Sequence, residues 1–386
     1  MRAIQRVKKI LKNINPLIRN YVIALIVSRS RKNCAAMAHS TGISDKFLYD
    51  FLGHASKVVP SIEETLKELV SKPLSEKDKR AFAIDPTHII KPYAKHIEKL
   101  CYDRTGTTKR TEQCLVPIYA MVIDKFNTIP LTLKFWMQEK LTGKKRYKSK
   151  AKITIELIVE ARKNGVQFGF IPLDGGFAVP EMFEFFSQSK EQFVMRIPRN
   201  RKIETDNGIS AQLQHHPDLK LYRNQREKVV TAKYKGNEYF FIAHKRRTKD
   251  GGYETIYLVS NMDLAPKQYL AAYNMRWPLE KVIRTTKQKF GAMQCQALDV
   301  EKQQAHILAG FLAYAILETA NNDKELLSVD ELVREIRDYY TDDLIKLIEK
   351  PNTSKQPEMP DPIAKLLQKA PLAMTENRHL DVSLAR

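Results

Sequence analysis

"YNMRWPLEKVIRTTKQ", residues 273–288, sets a single glutamate, Glu280, among Arg276, Lys281, Arg284 and Lys287, with Tyr273 at its head. On a helix, Tyr273, Arg276, Glu280, Arg284 and Lys287 fall within an arc of about 80°. Pro278 breaks or starts a helix, so the arc holds from Leu279 onward, and Tyr273 with Arg276 belongs to the preceding turn. Glu280 then lies in the first helical turn, where the dipole favours a carboxylate. One reading is a solvated face, with ion pairs from Glu280 to Arg276 and Arg284 at i, i+4 spacing. The other is a phosphate-binding face. A guanidinium offers bidentate contact, an ammonium a point charge and a phenol a hydrogen bond, and ion pairing alone requires neither the tyrosine nor Trp277.

The strands upstream supply two further carboxylates. "RAFAID" ends at Asp85, and "CLVPIYAMVID" at 114–124 and "IPLTLKFWM" at 129–137 read as adjacent strands, with 86–113 as a loop. A helix over 152–165 closes at Gly165, and the strand "FGFIPLD" ends at Asp174 before Gly175-Gly176. Pro180 opens a helix to about 187, and "QFVMRIP" is the next strand. This order of three strands, helix, strand, helix, strand is an α/β pattern, and α/β proteins build sites at strand ends. If the first and fourth strands are neighbours, Asp85 meets Asp174, and a helix crossing the sheet edge brings Glu280 to them. Each aspartate also has turn chemistry that explains it without any site, Asp85-Pro86 and Asp174-Gly175.

Three converging carboxylates do not all stay ionised unaided, and divalent metal removes the conflict. Two Mg²⁺ or Mn²⁺ ions about 3.5–4 Å apart would serve attack on a phosphodiester. Hard oxygen ligands, with Cys34, Cys101, Cys114 and Cys295 scattered along the chain, point away from zinc.

Between the second aspartate and Glu280, residues 200–262 read as a β-rich insertion of three strands joined by Gly236-Asn237 and Gly251-Gly252 turns. Residues 1–75 carry helical periodicity, and within them "CAAMAHSTGISDKFLYDFLGH" offers a short helix, a turn at Gly42, an N-cap at Ser44 and a second helix. That is helix-turn-helix shape, and a plain helical hairpin fits it equally. Helices resume over 265–322. "VDELVREIRDYYTDDLIKLIEK" is one more amphipathic helix, and 350–386 is a polar tail expected to be mobile.

Lys and Arg number 65 against 44 Asp and Glu, a formal charge of +21, for which nucleic acid is the default partner. Nine of these cations precede the first acid, Asp45, and others cluster at 143–152, 196–202 and 244–249. The apolar run at 307–317 is too short for a membrane span and reads as a buried helix. No signal peptide is evident, so a cytoplasmic protein is expected.

The spacing Tyr273, two residues, Arg276, three residues, Glu280, six residues, Lys287 resembles the Y-R-E-K signature of the DDE transposases of bacterial and archaeal insertion sequences, the fourth-numbered family and its relatives. "RWPLE" at 276–280 is similar to that family's usual wording, and the likeness covers about 80–322. The resemblance implies an RNase H-like mixed-sheet core over 80–199 and 263–322, interrupted by the insertion at 200–262. Flanking it are a helical, DNA-binding 1–75 and a C-terminal helix and tail at 323–386. It further implies Asp85, Asp174 and Glu280 as a catalytic, metal-binding triad; the helical stripe of Tyr273, Arg276, Arg284 and Lys287 beside Glu280 is expected on DNA phosphates. Hairpin-forming members stack a flipped base on a tryptophan of the insertion. Here Trp136 and Trp277 are the only tryptophans, leaving Tyr234, Tyr239, Phe240 or Phe241 for that role. The expected function is a homodimeric transposase that binds terminal inverted repeats of double-stranded DNA, cuts the ends and joins them to target DNA. The alternatives are a DNA-binding protein that has lost the chemistry and a nuclease without strand transfer.

Overall fold

A computed structural model describes residues 2–348, apart from 71–79, 107, 126, 249 and 322–326; the tail expected beyond residue 350 lies outside the described residues. Five helices come first: α1 (Arg2–Lys12), α2 (Pro16–Val27), α3 (Cys34–Thr41), α4 (Asp45–Gly53) and α5 (Ala55–Val70). Asn15 and Asn33 cap α2 and α3 by accepting from the backbone N–H groups of Leu17 and Ala36. Gly42, at φ 69°, ends α3 in the left-handed region that glycine enters without a Cβ penalty, and Ser44 precedes α4 without a side-chain cap bond.

The sheet begins with β1 (Ala81–Pro86), β2 (Ile89–Ile90), β3 (Cys101–Arg104), β4 (Thr111–Ile123) and β5 (Thr128–Trp136). The stretch 86–113, expected as a loop, thus contributes β2 and β3, which are too short for periodicity to reveal. β4 pairs antiparallel with all four others. Its last ten residues are buried without alternation, the mark of a strand covered on both faces. After α6 (Glu139–Thr142) and α7 (Lys150–Lys163) come β6 (Ile171–Leu173), α8 (Pro180–Gln188) and β7 (Phe193–Arg196). β6 runs parallel to β7, and a parallel bridge from Ala81 to Phe170 sets the β6 segment beside β1. The order β5-β4-β1-β6-β7 is antiparallel on one side and parallel on the other, a mixed α/β sheet consistent with an RNase H-like arrangement.

The insertion holds β8 (Lys202–Thr205), β9 (Ser210–Gln212), β10 (Glu227–Tyr234), β11 (Asn237–Arg247) and β12 (Tyr253–Ser260), two short strands more than expected. β12 pairs antiparallel with β7, so the insertion extends the core sheet instead of forming a separate layer. Lys235 and Gly236, at φ 53° and 81°, make the tight β10–β11 turn, whose left-handed pair matches the twist of a hairpin.

Helices α9 (Pro266–Asn274), α10 (Trp277–Lys289), α11 (Val300–Ala320), α12 (Val329–Glu335) and α13 (Thr341–Ile345) complete the described chain. The single helix expected from residue 329 onward is interrupted by a π-helical turn at Ile336–Tyr340. There Arg337 turns inward and donates to the carbonyls of Ile26 and Lys289, at the ends of α2 and α10, where helix dipoles favour a cation.

α11 is apolar on every side and is covered on every side, by α1, α2, α4, α5, α10, α12 and β5. Residues 1–349 accordingly form one compact unit, and cutting the chain at residue 75 would uncover α11. No helix among the described residues is long and apolar enough to cross a membrane.

A buried polar chain ties the helices together: Tyr21 Oη lies 2.8 Å from His306 Nδ1, and His306 Nε2 lies 2.9 Å from the Gly291 carbonyl. Burial pushes His306 down to about 4, so the ring is neutral, with Nε2 donating to Gly291 and Nδ1 accepting from the tyrosine. Because the folded pKa lies below the unfolded one, His306 supports stability fully above about pH 6.5 and loses that support as pH falls towards about 4. Tyr21→Phe should orphan Nδ1 and cost about 1–3 kcal/mol in urea unfolding at neutral pH. An unchanged midpoint would show that the chain carries no stability.

Candidate active site

Asp85 lies near the end of β1 and Asp174 directly after β6. Since these segments run side by side and parallel, both carboxylates leave the same edge of the sheet. Glu280 is in the first turn of α10, whose start is fixed by Pro278; α9 ends at Asn274, so Tyr273 and Arg276 approach from the junction of two helices. One side chain joins the groups. The Arg276 guanidinium donates to Asp85 Oδ2 at 3.3 Å and to Glu280 Oε1 at 2.8 Å, while the Tyr273 hydroxyl reaches Asp174 Oδ1 at 3.5 Å.

The pair from Glu280 to Arg276 is the i, i+4 contact of the solvated-face reading, yet the Arg276 side chain is only 10% exposed. A solvated face does not bury its cation. Arg284 and Lys287 are exposed and make no ion pair with another described residue. Arg284 and Glu280 line one groove with Trp277, Lys125 and Lys281, and with the acids Asp124 and Glu318. Lys287 lies further along α10, about 10 Å from Glu280 along the axis at 1.5 Å per residue.

The electrostatics are those of crowded negative charge. Burial first, and then the charges of Asp174 and Glu280, push the Asp85 carboxyl up to about 7 against the opposing pull of Arg276. Burial and then Asp174 raise the Tyr273 phenol. Burial works against the charge of Arg276, and Asp85, Tyr273 and Glu280 together more than restore it.

Among the described residues, no three His, Cys, Asp or Glu side chains close on one ion position. The reason is visible in the geometry: a guanidinium bridges Asp85 and Glu280. The donor chemistry nevertheless fits a hard divalent cation, because Asp85 and Glu280 share one buried cation, Asp174 has only the Tyr273 hydroxyl among the described residues, and the charges of Asp174 and Glu280 still act on Asp85.

The insertion aromatics fare differently. Tyr239 and Phe241 are buried at 3% and 0% exposure, packed with Phe183, Phe193 and Tyr234, so neither offers a ring face to a base. Phe240 and Tyr234 are partly buried against the same core. Sequence reading missed Arg196, which ends β7 next to Asp174 and whose charge acts on Tyr273. Its only signal was membership of the basic stretch 196–202.

Asp85→Asn makes the charge conflict measurable. A carboxyl raised in the folded state favours folding below its usual range, and ionising it costs stability as pH climbs towards about 7. In EDTA the variant should therefore gain Tm relative to wild type as pH rises from about 5 to about 8. A difference that stays constant with pH would mean that Asp85 is not under charge stress.

Comparison with known families gives a match to the Transposase DDE domain over residues 76–316. No curated protein matches the chain. The matched span holds β1, β6, α10 and all three carboxylates, and it covers well over half of the sequence. By this match and by its mixed α/β fold, the chain belongs to the transposase DDE domain family.

Proposed function

We propose that the protein is an insertion-sequence transposase of the Y-R-E-K subgroup that binds terminal inverted repeats as a homodimer, hydrolyses a phosphodiester at each end and joins the freed 3′-hydroxyl to target DNA. The observation that carries this reading is the bridging of Asp85 and Glu280 by Arg276, with Tyr273 on Asp174, at one edge of the sheet. Membership of the family implies DNA as partner and a divalent metal ion as cofactor.

Asp85, Asp174 and Glu280 would hold two Mg²⁺ or Mn²⁺ ions, which when bound supply an activated water and stabilise the leaving oxygen. The chain's own residues do the rest. Tyr273 and Arg276 orient the carboxylates and present a hydroxyl and a guanidinium to the phosphate. Arg284 and Lys287, exposed and unpaired with described residues, follow the DNA backbone away from the cut. The formal charge of +21 supports a polyanionic partner, and α3 and α4, joined at Gly42, are the part proposed to read the end sequence. Chromosomal DNA as substrate assigns the protein to the bacterial or archaeal cytoplasm.

The test is purified protein with the DNA that flanks its own gene, in Mg²⁺ and in Ca²⁺. Cleavage in Mg²⁺ and joined product support the reading; cleavage without joining selects a nuclease, and binding without cleavage a protein that has lost the chemistry. Glu280→Gln should abolish cutting and leave end binding intact. Arg284→Ala and Lys287→Ala should weaken binding and lower the salt slope by about one unit each. If all three variants bind and cut as wild type, α10 is an ordinary surface helix and the assignment falls.

A further inference from the structure

Two thiols face each other outside the active site. β3 runs antiparallel to β4 with Cys101 directly opposite Cys114. Opposed residues of an antiparallel pair share one face of the sheet, with Cα atoms about 4.5–5.5 Å apart, inside the range that a disulfide spans. The sulfurs are close as well as the backbones. Cys101 Sγ donates to the Cys114 carbonyl oxygen at 3.5 Å, and its thiol is within hydrogen-bonding reach of the Cys114 sulfur.

The two sulfurs are chemically unequal. The hydrogen bond from Cys101 holds the Cys114 thiol below its ordinary value against the opposing effect of burial, helped by the Asp103 backbone N–H and the charge of Lys150. The same hydrogen bond, and then burial, push the Cys101 thiol up. Cys114 is thus the thiolate former and Cys101 the protonated neighbour, the pairing in which one sulfur attacks an oxidant and the other resolves the product. Both residues are buried, at 1% and 0% exposure, and access comes through β3. That strand is four residues long, pairs only with β4 among the described residues, and carries Tyr102 at 51% exposure. Local opening of so short an edge admits a small oxidant and excludes a bulky one.

We propose that Cys101 and Cys114 are a thiol-modification site for hydrogen peroxide, closing to a reversible cross-strand disulfide between β3 and β4. The Cys114 thiolate attacks one peroxide oxygen and the O–O bond breaks. The departing hydroxide takes up the proton lost by Cys114 and leaves as water, and Cys114 becomes a sulfenic acid. The Cys101 sulfur then attacks the Cys114 sulfur, and the S–OH bond breaks as the S–S bond forms. Its hydroxide takes the Cys101 proton and leaves as a second water. Two thiols and one peroxide therefore give one disulfide and two waters, the sulfurs losing the two electrons that the peroxide gains. The bond would close residues 101–114 into a covalent loop and fix the β3 edge to β4, the strand on which Tyr119 pairs with Asp85.

The test is fragment mapping of the full-length protein in native buffer. After hydrogen peroxide treatment and removal of the oxidant with catalase, free thiols are blocked with iodoacetamide in urea and the chain is digested with trypsin without reduction. Cys101 falls in fragment 100–104 and Cys114 in fragment 111–125. The expected product is these two fragments joined, lighter by two hydrogens than their sum and separated by dithiothreitol. Cys101→Ser removes the resolving thiol and should leave a sulfenic acid on Cys114 that dimedone labels; Cys114→Ser should give neither the link nor a label on Cys101. Where a serine variant folds poorly, the wild-type fragment map decides by itself. Recovery of the two fragments as separate alkylated peptides, joining of Cys114 to Cys34 or Cys295 instead, or dimedone on Cys101 in place of Cys114 overturns the proposal.

Discussion

Burying α11 on every side is the constraint from which the rest of the architecture follows. A helix without a polar face must be enclosed, and no single neighbour encloses it. The N-terminal helices cover one part, β5 another, and α10 with α12 the remainder. Because α10 is held against α11, β1 and β5, its first turn is set over the sheet edge, and Glu280 is delivered to Asp85. The helices at the start of the chain are therefore part of the support of the site, whatever they bind.

The second organising force is charge held out of water. Three carboxylates at one edge repel one another, and a single guanidinium is the compromise that the protein reaches by itself. Removing that arginine while keeping the acids would leave buried charge uncompensated, which is far more costly than never burying it. Such an arrangement is marginal as structure, because the neighbouring acids still push the Asp85 carboxyl up although Arg276 is paired with it.

The insertion shows how an addition can be continuous with a core. β12 pairs with β7, so the strand that carries Arg196 to the site also anchors the strands of 200–262. Aromatic residues of β11 that face inward, Tyr239 and Phe241, fill the layer against α8 and β7, and this packing withdraws them from any role on a base. Strand alternation decides which aromatics are free, and composition alone does not.

Much of this protein was legible in its sequence. The strand ends at Asp85 and Asp174, the helix start at Pro278, the Gly42 turn and the spacing from Tyr273 to Lys287 are local features, written by φ/ψ preference and by residue period, and they survive into the fold. Other features depend on partners distant in the chain. The pairing of β1 with the β6 segment, the breaking of the last helix where Arg337 meets the ends of α2 and α10, the enclosure of α11 and the nearness of Arg196 to Asp174 each join residues tens to hundreds of positions apart. Short strands such as β2 and β3 were hidden for the same reason, since two to four residues carry no period and owe their conformation to β4. Sequence determined which groups could meet. Tertiary packing decided which did, because burial and charge compensation act through space and are indifferent to separation along the chain.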